Sequence, residues 1–359
     1  MTIKSLYVAG KFDDNGGKPS KIAKSVFDAI GPANSGSYNG GSFSELENIL
    51  RQAEDAQLIY WFADVPNDKV KLVKEIKQRN KACVLVTSKR NTEGKYAFED
   101  LIYRALDIKS NLLVEFTKPG NRYMGRVIDP LGNVFLDHNE DFTLVGKVLR
   151  KRVDELMSFT RISSDNAGSA VEIPDEKEFF KTVKEYAGVF HNLVHAHSDA
   201  ANRFFGNASF RCERGFPSYR SGSLIFVSRR NVDKRFIDKG AFVGVKAEIP
   251  IRYFGDIKPS VDTPIQIKLY NFYPKVKFML HSHVYVNDAP FTERVLPCGA
   301  VEEADEIARV FPDRNSVNFS VNLKGHGSLV LADATMHIKD VSYIPRGTPE
   351  VHKEYSEMF

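Results

Sequence analysis

Apolar positions change period along the chain. Leu6-Tyr-Val-Ala9 is a short apolar run closed by Gly10, and Ile22, Val26, Phe27 and Ile30 then recur at helical spacing until Gly31-Pro32 ends the pattern. Residues 34–42, rich in Gly, Ser and Asn, read as a loop, and Ser44 then reads as the cap of a helix through Leu50. Leu58–Phe62, Ala82–Val86 and Asn111–Phe116 are largely apolar runs of strand length, separated by the amphipathic stretches Asp68–Asn80 and Tyr96–Leu106. Strands of this kind alternating with helices predict a parallel, doubly wound sheet, which binds ligands at the carboxyl ends of its strands. A further helix spans 144–157.

The polar, aperiodic stretch SSDNAGSAVEIP (163–174) reads as a boundary. Beyond it the pattern predicts a long helix from Glu176 to about Arg203, then short strands at Leu224–Val227, Phe242–Ile249, Lys277–Val286, Val317–Leu323 and Leu329–Leu331, interrupted by a helix at Val301–Val310. The expectation is an α/β domain over residues 1–157, a linker over 158–174 and an α+β domain over 175–359.

Composition narrows the classes. Hydrophobic residues make up 42% and charged residues 27%, the range of a globular chain. A net charge of +4 is too small for a dedicated nucleic-acid binder, and no apolar run approaches the roughly 20 residues of a membrane span. MTIKSLYVAG reads as an immediate strand rather than a signal peptide. Cys83, Cys212 and Cys298 are scattered, without the spacing of a disulfide framework or a cysteine zinc site, so a reducing, cytoplasmic location is expected.

Eight of the nine histidines follow the boundary. In Phe278-Met-Leu-His281-Ser-His283 the pattern is strand-like, and side chains two apart on a strand share a face, so His281 and His283 can share one ion. The other cluster, His191, His195 and His197, lies on a helical pattern in which only His191 and His195 converge. An open catalytic zinc site needs a third nitrogen. His326, between Gly325 and Gly327 just before a strand, is the choice. Two ordinary histidines on a half-exposed strand are the competing explanation of the pair.

Three patches over residues 180–340 resemble the class II aldolase/adducin family, and within it the ribulose-phosphate 4-epimerases. Gly206-Asn-Ala-Ser-Phe-Arg211 is similar to the turn whose Asn helps hold a substrate phosphate. Pro259-Ser-Val-Asp-Thr-Pro264, followed by Tyr270, Pro274 and His281-Ser-His283, is similar to its P-S-S-[DE]-x-P…H-x-H stretch. Gly325-His-Gly327 is similar to the segment supplying the third zinc histidine. The resemblance implies Zn2+ or another divalent metal on His281, His283 and His326. It also implies substrate contacts from Asn207, Ser209, Arg211 and Ser260, and a sugar-phosphate substrate in a homo-oligomer. The family's Ser-Gly phosphate loop falls near Ser228-Arg229-Arg230, where Arg229 and Arg230 suit a larger anion such as a diphosphate, hence a nucleotide sugar. The segment after His283 is shortened relative to the family, leaving Asp288 and Glu293 as candidates for its catalytic aspartate. Tyr343 and Tyr355 are candidates for its C-terminal proton donor.

Three imidazoles leave a metal open positions for a hydroxyketone, whose enediolate the ion stabilises when the neighbouring C–C bond breaks. Asp262 either accepts the hydroxyl proton or orients a ligand histidine. Re-addition of the aldehyde gives epimerisation and its departure gives aldol cleavage. A zinc hydrolase and a non-catalytic adducin-like module are the alternatives. In the first domain, Leu6-Tyr-Val-Ala-Gly10-Lys-Phe12 and Ala97-Phe-Glu99 with Ala105-Leu106 resemble the nucleoside 2-deoxyribosyltransferases. That resemblance implies nucleotide binding near Gly10 and a nucleophilic Glu99.

Overall fold

The structure, a computed structural model, describes residues 4–194, 206–212 and 224–359. The chain forms two compact units, residues 1–158 with 348–359, and residues 159–347.

The first unit runs β1 (Ser5–Phe12), α1 (Lys21–Ile30), β2 (Gly36–Gly41), α2 (Phe43–Gln52), β3 (Leu58–Asp64), α3 (Asn67–Arg79), β4 (Val84–Arg90), α4 (Phe98–Ile108), β5 (Leu112–Thr117), β6 (Met124–Ile128), β7 (Asn133–Asn139) and α5 (Phe142–Ser158). The strands β2-β1-β3-β4-β5 are parallel neighbours in that order, and β6 and β7 continue the sheet antiparallel. Strands β1, β3, β4 and β5 are apolar throughout most of their length because both faces of the sheet are covered. The Gly-rich segment expected as a loop holds β2, since an edge strand needs only its backbone to pair with β1. Ser42, not Ser44, caps α2, in a capping box with Glu45. Residues 348–359, expected in the second domain, belong to the first unit. Glu350–Val351 pairs with β7, and Tyr355 donates to Glu155 Oε2 (2.6 Å) and accepts from Arg152 (3.1 Å).

The second unit runs β8 (Ser164–Gly168), α6 (Lys177–Leu193), β9 (Asn207–Arg211), β10 (Leu224–Ser228), β11 (Phe242–Lys246), β12 (Ile251–Phe254), α7 (Thr263–Phe272), β13 (Phe278–Ser282), β14 (Tyr285–Val286), α8 (Glu302–Val310), β15 (Phe319–Leu323), β16 (Gly327–Ala332), α9 (Thr335–Lys339) and β17 (Tyr343–Ile344). Its main sheet has the order β15-β16-β13-β9-β10-β11-β12-β8 and is antiparallel except at β12/β8. The polar stretch read as a linker therefore supplies an edge strand. One face of the sheet packs on α7 and α8 through Ile265, Leu269, Tyr270, Ala304 and Ile307. The other packs on α6 through Phe179, Phe180, Val183 and Phe190 against Phe210, Phe226, Phe242 and Phe278. With both faces covered, β13 is buried at all five positions and its histidine is held rigidly in the core.

Candidate metal centre

The centre is built where β13 ends beside the start of β16. His281 lies opposite Leu329 of β16 and Asn207 of β9 in the backbone register. His283 follows one residue after β13, and His326 precedes β16 by one residue. The three rings gather with centroids 4.7–5.1 Å apart, and one ligand-competent nitrogen from each lies within 4.8 Å of the others. Gly327 makes this approach possible. Its φ is +154°, and a Cβ there would stand 1.9 Å from the Ser282 carbonyl oxygen and 2.7 Å from the His283 Cα.

The tautomers follow from their partners. His281 Nδ1 is 2.8 Å from the Ser328 carbonyl, which only accepts, so Nδ1 carries the hydrogen and Nε2 keeps its lone pair. That Nε2 is buried and has no hydrogen-bond partner among the described residues. Burial above all pushes His281 down to about 4, so the ring is neutral and able to ligate at physiological pH. His283 is driven down by burial and by the two neighbouring rings. At His326 burial also opposes charge, but Cys298 and Glu303 on either side outweigh it and push the group well up. Glu303 Oε1 is 2.8 Å from Nδ1, and Cys298 Sγ is 3.2 Å from Nε2. The surroundings of His326 thus favour a cation on the ring, whether a proton or a metal ion at Nε2. Two neutral imidazoles, the His281 ring with an unpartnered Nε2 among the described residues, and a third ring backed by a buried carboxylate fit a divalent metal such as zinc.

Asp262 stands beside the cluster at the N-terminus of α7, yet makes no side-chain capping bond. Its Oδ2 accepts from Asn207 Nδ2 (2.7 Å), and its Oδ1 is buried without a hydrogen-bond partner among the described residues. Gln266 donates to Asn207 Oδ1 and fixes the amide orientation. Ser260 Oγ is 3.4 Å from Asp262 Oδ2. The cavity in front of the histidines is lined by Asn207, His281, His283, Asp233, Lys234 and Arg235, among others. Lys234 is only 8% exposed and is pushed down to about 8, by burial against the opposing pull of Asp262 and Asp233. Arg235 is held by Asp233. The sequence reading missed Lys234, which sits in a short 3-10 turn (Lys234–Phe236) without periodicity, and missed Glu303 and Cys298, which no local pattern connects to His326.

Several expected site residues have other places. Ser209 is fully buried with its hydroxyl 3.1 Å from that of Tyr270. Arg211 donates to the carbonyls of Tyr270, Tyr273 and Val276, closing the C-terminal end of α7 rather than meeting a ligand. Arg229 and Arg230 are not among the residues lining the cavity, and among the described residues the Lys and Arg side chains that line it are Lys234 and Arg235. The chain turns directly after these arginines at Asn231, which is in the left-handed region at φ 58°. Asp288 is exposed and accepts from its neighbour Asn287, and Glu293 is exposed. Tyr355 is committed to Arg152 and Glu155 of the first unit. His191 faces Arg235 at 2.9 Å, whereas His195 and His197 lie outside the described residues.

In the first unit Gly10 sits where the backbones of Lys18 and Gly40 crowd β1, and Glu99 is exposed in the first turn of α4. A cleft opens instead at the carboxyl ends of β4 and β5, lined by Asn91, Glu115, Lys118, Arg126 and His138 among others. Glu115 is buried there and accepts from Asn91 (2.7 Å) and Arg126 (2.8 Å). Burial pulls its carboxyl up, but His138, Asn91 and Arg126 outweigh burial and hold it below the usual range.

No family model and no curated protein matches the chain. Among solved structures it is similar to an L-fuculose 1-phosphate aldolase, with 15% identity over 46% of this chain and 84% of the other, at a TM-score of 0.33. A second match is the N-terminal class II aldolase domain of a conserved protein from Thermoplasma acidophilum, with 19% identity over 50% of this chain and 93% of that one, at a TM-score of 0.32. A third is the DNA/pantothenate metabolism flavoprotein of Streptococcus pneumoniae, with 8% identity over 44% of this chain and 100% of that one, at 0.33. The expected likeness to nucleoside 2-deoxyribosyltransferases gains no support from them.

Proposed function

We propose that the second unit is a divalent-metal-dependent enzyme of aldolase or epimerase type, acting on a hydroxyketone that carries a phosphate or a nucleotide-linked phosphate. The observation that carries this reading is the convergence of three buried imidazoles with a carboxylate whose second oxygen has no partner among the described residues. A zinc ion on His281, His283 and His326 would supply Lewis acidity to the carbonyl and the adjacent hydroxyl of such a substrate. Asp262 Oδ1 then accepts the hydroxyl proton as the C–C bond opens, while Asn207 holds Oδ2 still. Lys234 presents positive charge to the anionic substituent, and Asn207 and Ser260 stand nearby to orient it. For the first unit the same reading assigns a nucleotide-like anion to the cleft beside Arg126, Lys118 and His138.

The test is metal analysis followed by a substrate screen. Purified protein is expected to hold about one divalent ion per chain, lost in His281→Ala, His283→Ala and His326→Ala but kept in His191→Ala. Asp262→Asn is expected to keep the ion and lower turnover of a sugar phosphate by about 10²–10⁴. Retention of full metal content by His326→Ala would refute the assignment.

A further inference from the structure

Cys298 reaches the metal centre from the segment between β14 and α8. Its Sγ is 3.2 Å from His326 Nε2, on the side of the ring opposite the Nδ1 that Glu303 engages at 2.8 Å. Because the Glu303 contact leaves Nε2 as the nitrogen that faces a metal, the thiol stands against the very lone pair the ion would use. The same centre holds a second sign of an absent partner, the buried Nε2 of His281, unpaired among the described residues. Zinc–nitrogen bonds of about 2.0 Å and zinc–sulfur bonds of about 2.3 Å place N and S roughly 3.5 Å apart around a tetrahedral ion. The observed separation from His326 Nε2 differs from this by a few tenths of an ångström, and Sγ, which stands outside the group of histidine nitrogens within 4.8 Å of one another, would have to close on the other two as the ion enters.

We propose that Cys298 is a fourth protein ligand, so that the resting centre is His281/His283/His326/Cys298. This rests on the metal reading above and goes beyond it. On ligation the sulfur–metal and His326 Nε2–metal bonds form, and the protons carried by the thiol and by Nε2 leave to solvent. The thiolate then closes the resting site and biases it toward zinc or cobalt over magnesium or manganese, because a soft donor prefers softer ions. A chelating substrate gains entry by displacing the sulfur or by raising the coordination number to five.

The full chain, freed of metal and loaded with one equivalent of Co2+, is expected to show a near-ultraviolet thiolate-to-cobalt charge-transfer band. Cys298→Ser should abolish the band while cobalt stays bound, more weakly by at least the roughly 10–100-fold that loss of an outer hydrogen-bond partner causes. Cys212→Ser, remote from the cluster, should leave it unchanged. X-ray absorption of the zinc form should show sulfur at about 2.3 Å. Stoichiometric cobalt without the band, or a band that survives Cys298→Ser, overturns the thiolate ligand and leaves the histidine site standing. Failure of the wild-type chain to retain cobalt overturns both.

Discussion

A carboxylate at a helix N-terminus ordinarily turns back to cap the helix. Asp262 instead points to Asn207, and this diversion makes it chemically available. Lys234 shows the same economy, a lysine whose ammonium is held in the core by facing Asp262 and Asp233, with His281 and His283 within electrostatic reach. Because burial pushes its ammonium down to about 8, it is cationic below that pH and neutral above it. Affinity for dihydroxyacetone phosphate should therefore fall as pH rises through about 8, while affinity for uncharged dihydroxyacetone should change less. Lys234→Met should weaken the phosphate form by about 1.5–3 kcal/mol, or roughly tenfold to hundredfold, at neutral pH. Calorimetric titration of both ligands from pH 6 to 9.5, at roughly half-unit steps, measures the difference. Equal loss for the two ligands would contradict the anion-binding role.

At the scale of elements, the centre depends on how closely the turn before β16 approaches β13. Gly327 permits that approach, since its φ of +154° suits glycine and a Cβ would collide with the Ser282 carbonyl at 1.9 Å. Gly327→Ala is expected to cost about 2–5 kcal/mol from backbone strain and overpacking together, and to lower metal content as His326 is pushed away. Gly188 in α6 is the control, because a Cβ there meets nothing within 4 Å. Gly188→Ala should stabilise by about 0.4–1 kcal/mol with metal content unchanged. Thermal melts with metal analysis on both variants decide the matter. The HxH spacing was legible because strand alternation is a local rule. The partners that set the tautomers and charge, Ser328, Glu303 and Cys298, were not, because they come from β16, α8 and the segment before α8.

At the scale of the whole molecule, the chain leaves the first unit at Ser158 and returns to it at Thr348. The returning segment sets Tyr355 edge-on against Phe135 and engages Arg152, which is only 1% exposed. Deletion of residues 348–359 should expose this arginine and the Phe135 face, and lower the unfolding temperature of the first unit. Metal binding in the second unit should persist. Tyr355→Phe removes only the hydroxyl and should cost about 1 kcal/mol without changing turnover, unlike a proton donor. Differential calorimetry with parallel metal analysis tests both, and loss of turnover in Tyr355→Phe would restore a catalytic role to it.

What the sequence determined by itself were properties carried by neighbours in the chain. These are the apolar runs of the parallel strands, the amphipathic helices between them and the two-residue spacing of His281 and His283. The Gly-His-Gly setting just before a strand singled out His326, and the motif resemblance added Asn207 and Asp262. Only the tertiary structure decided which of the polar residues around them face the cavity. Ser209 and Arg211 share a strand with Asn207, yet pack against Tyr270 and the end of α7. Lys234 and Cys298 arrive from segments without periodicity, so no local pattern marks them. Burial and distance, which assign their chemistry, exist only once the sheet has brought those segments together.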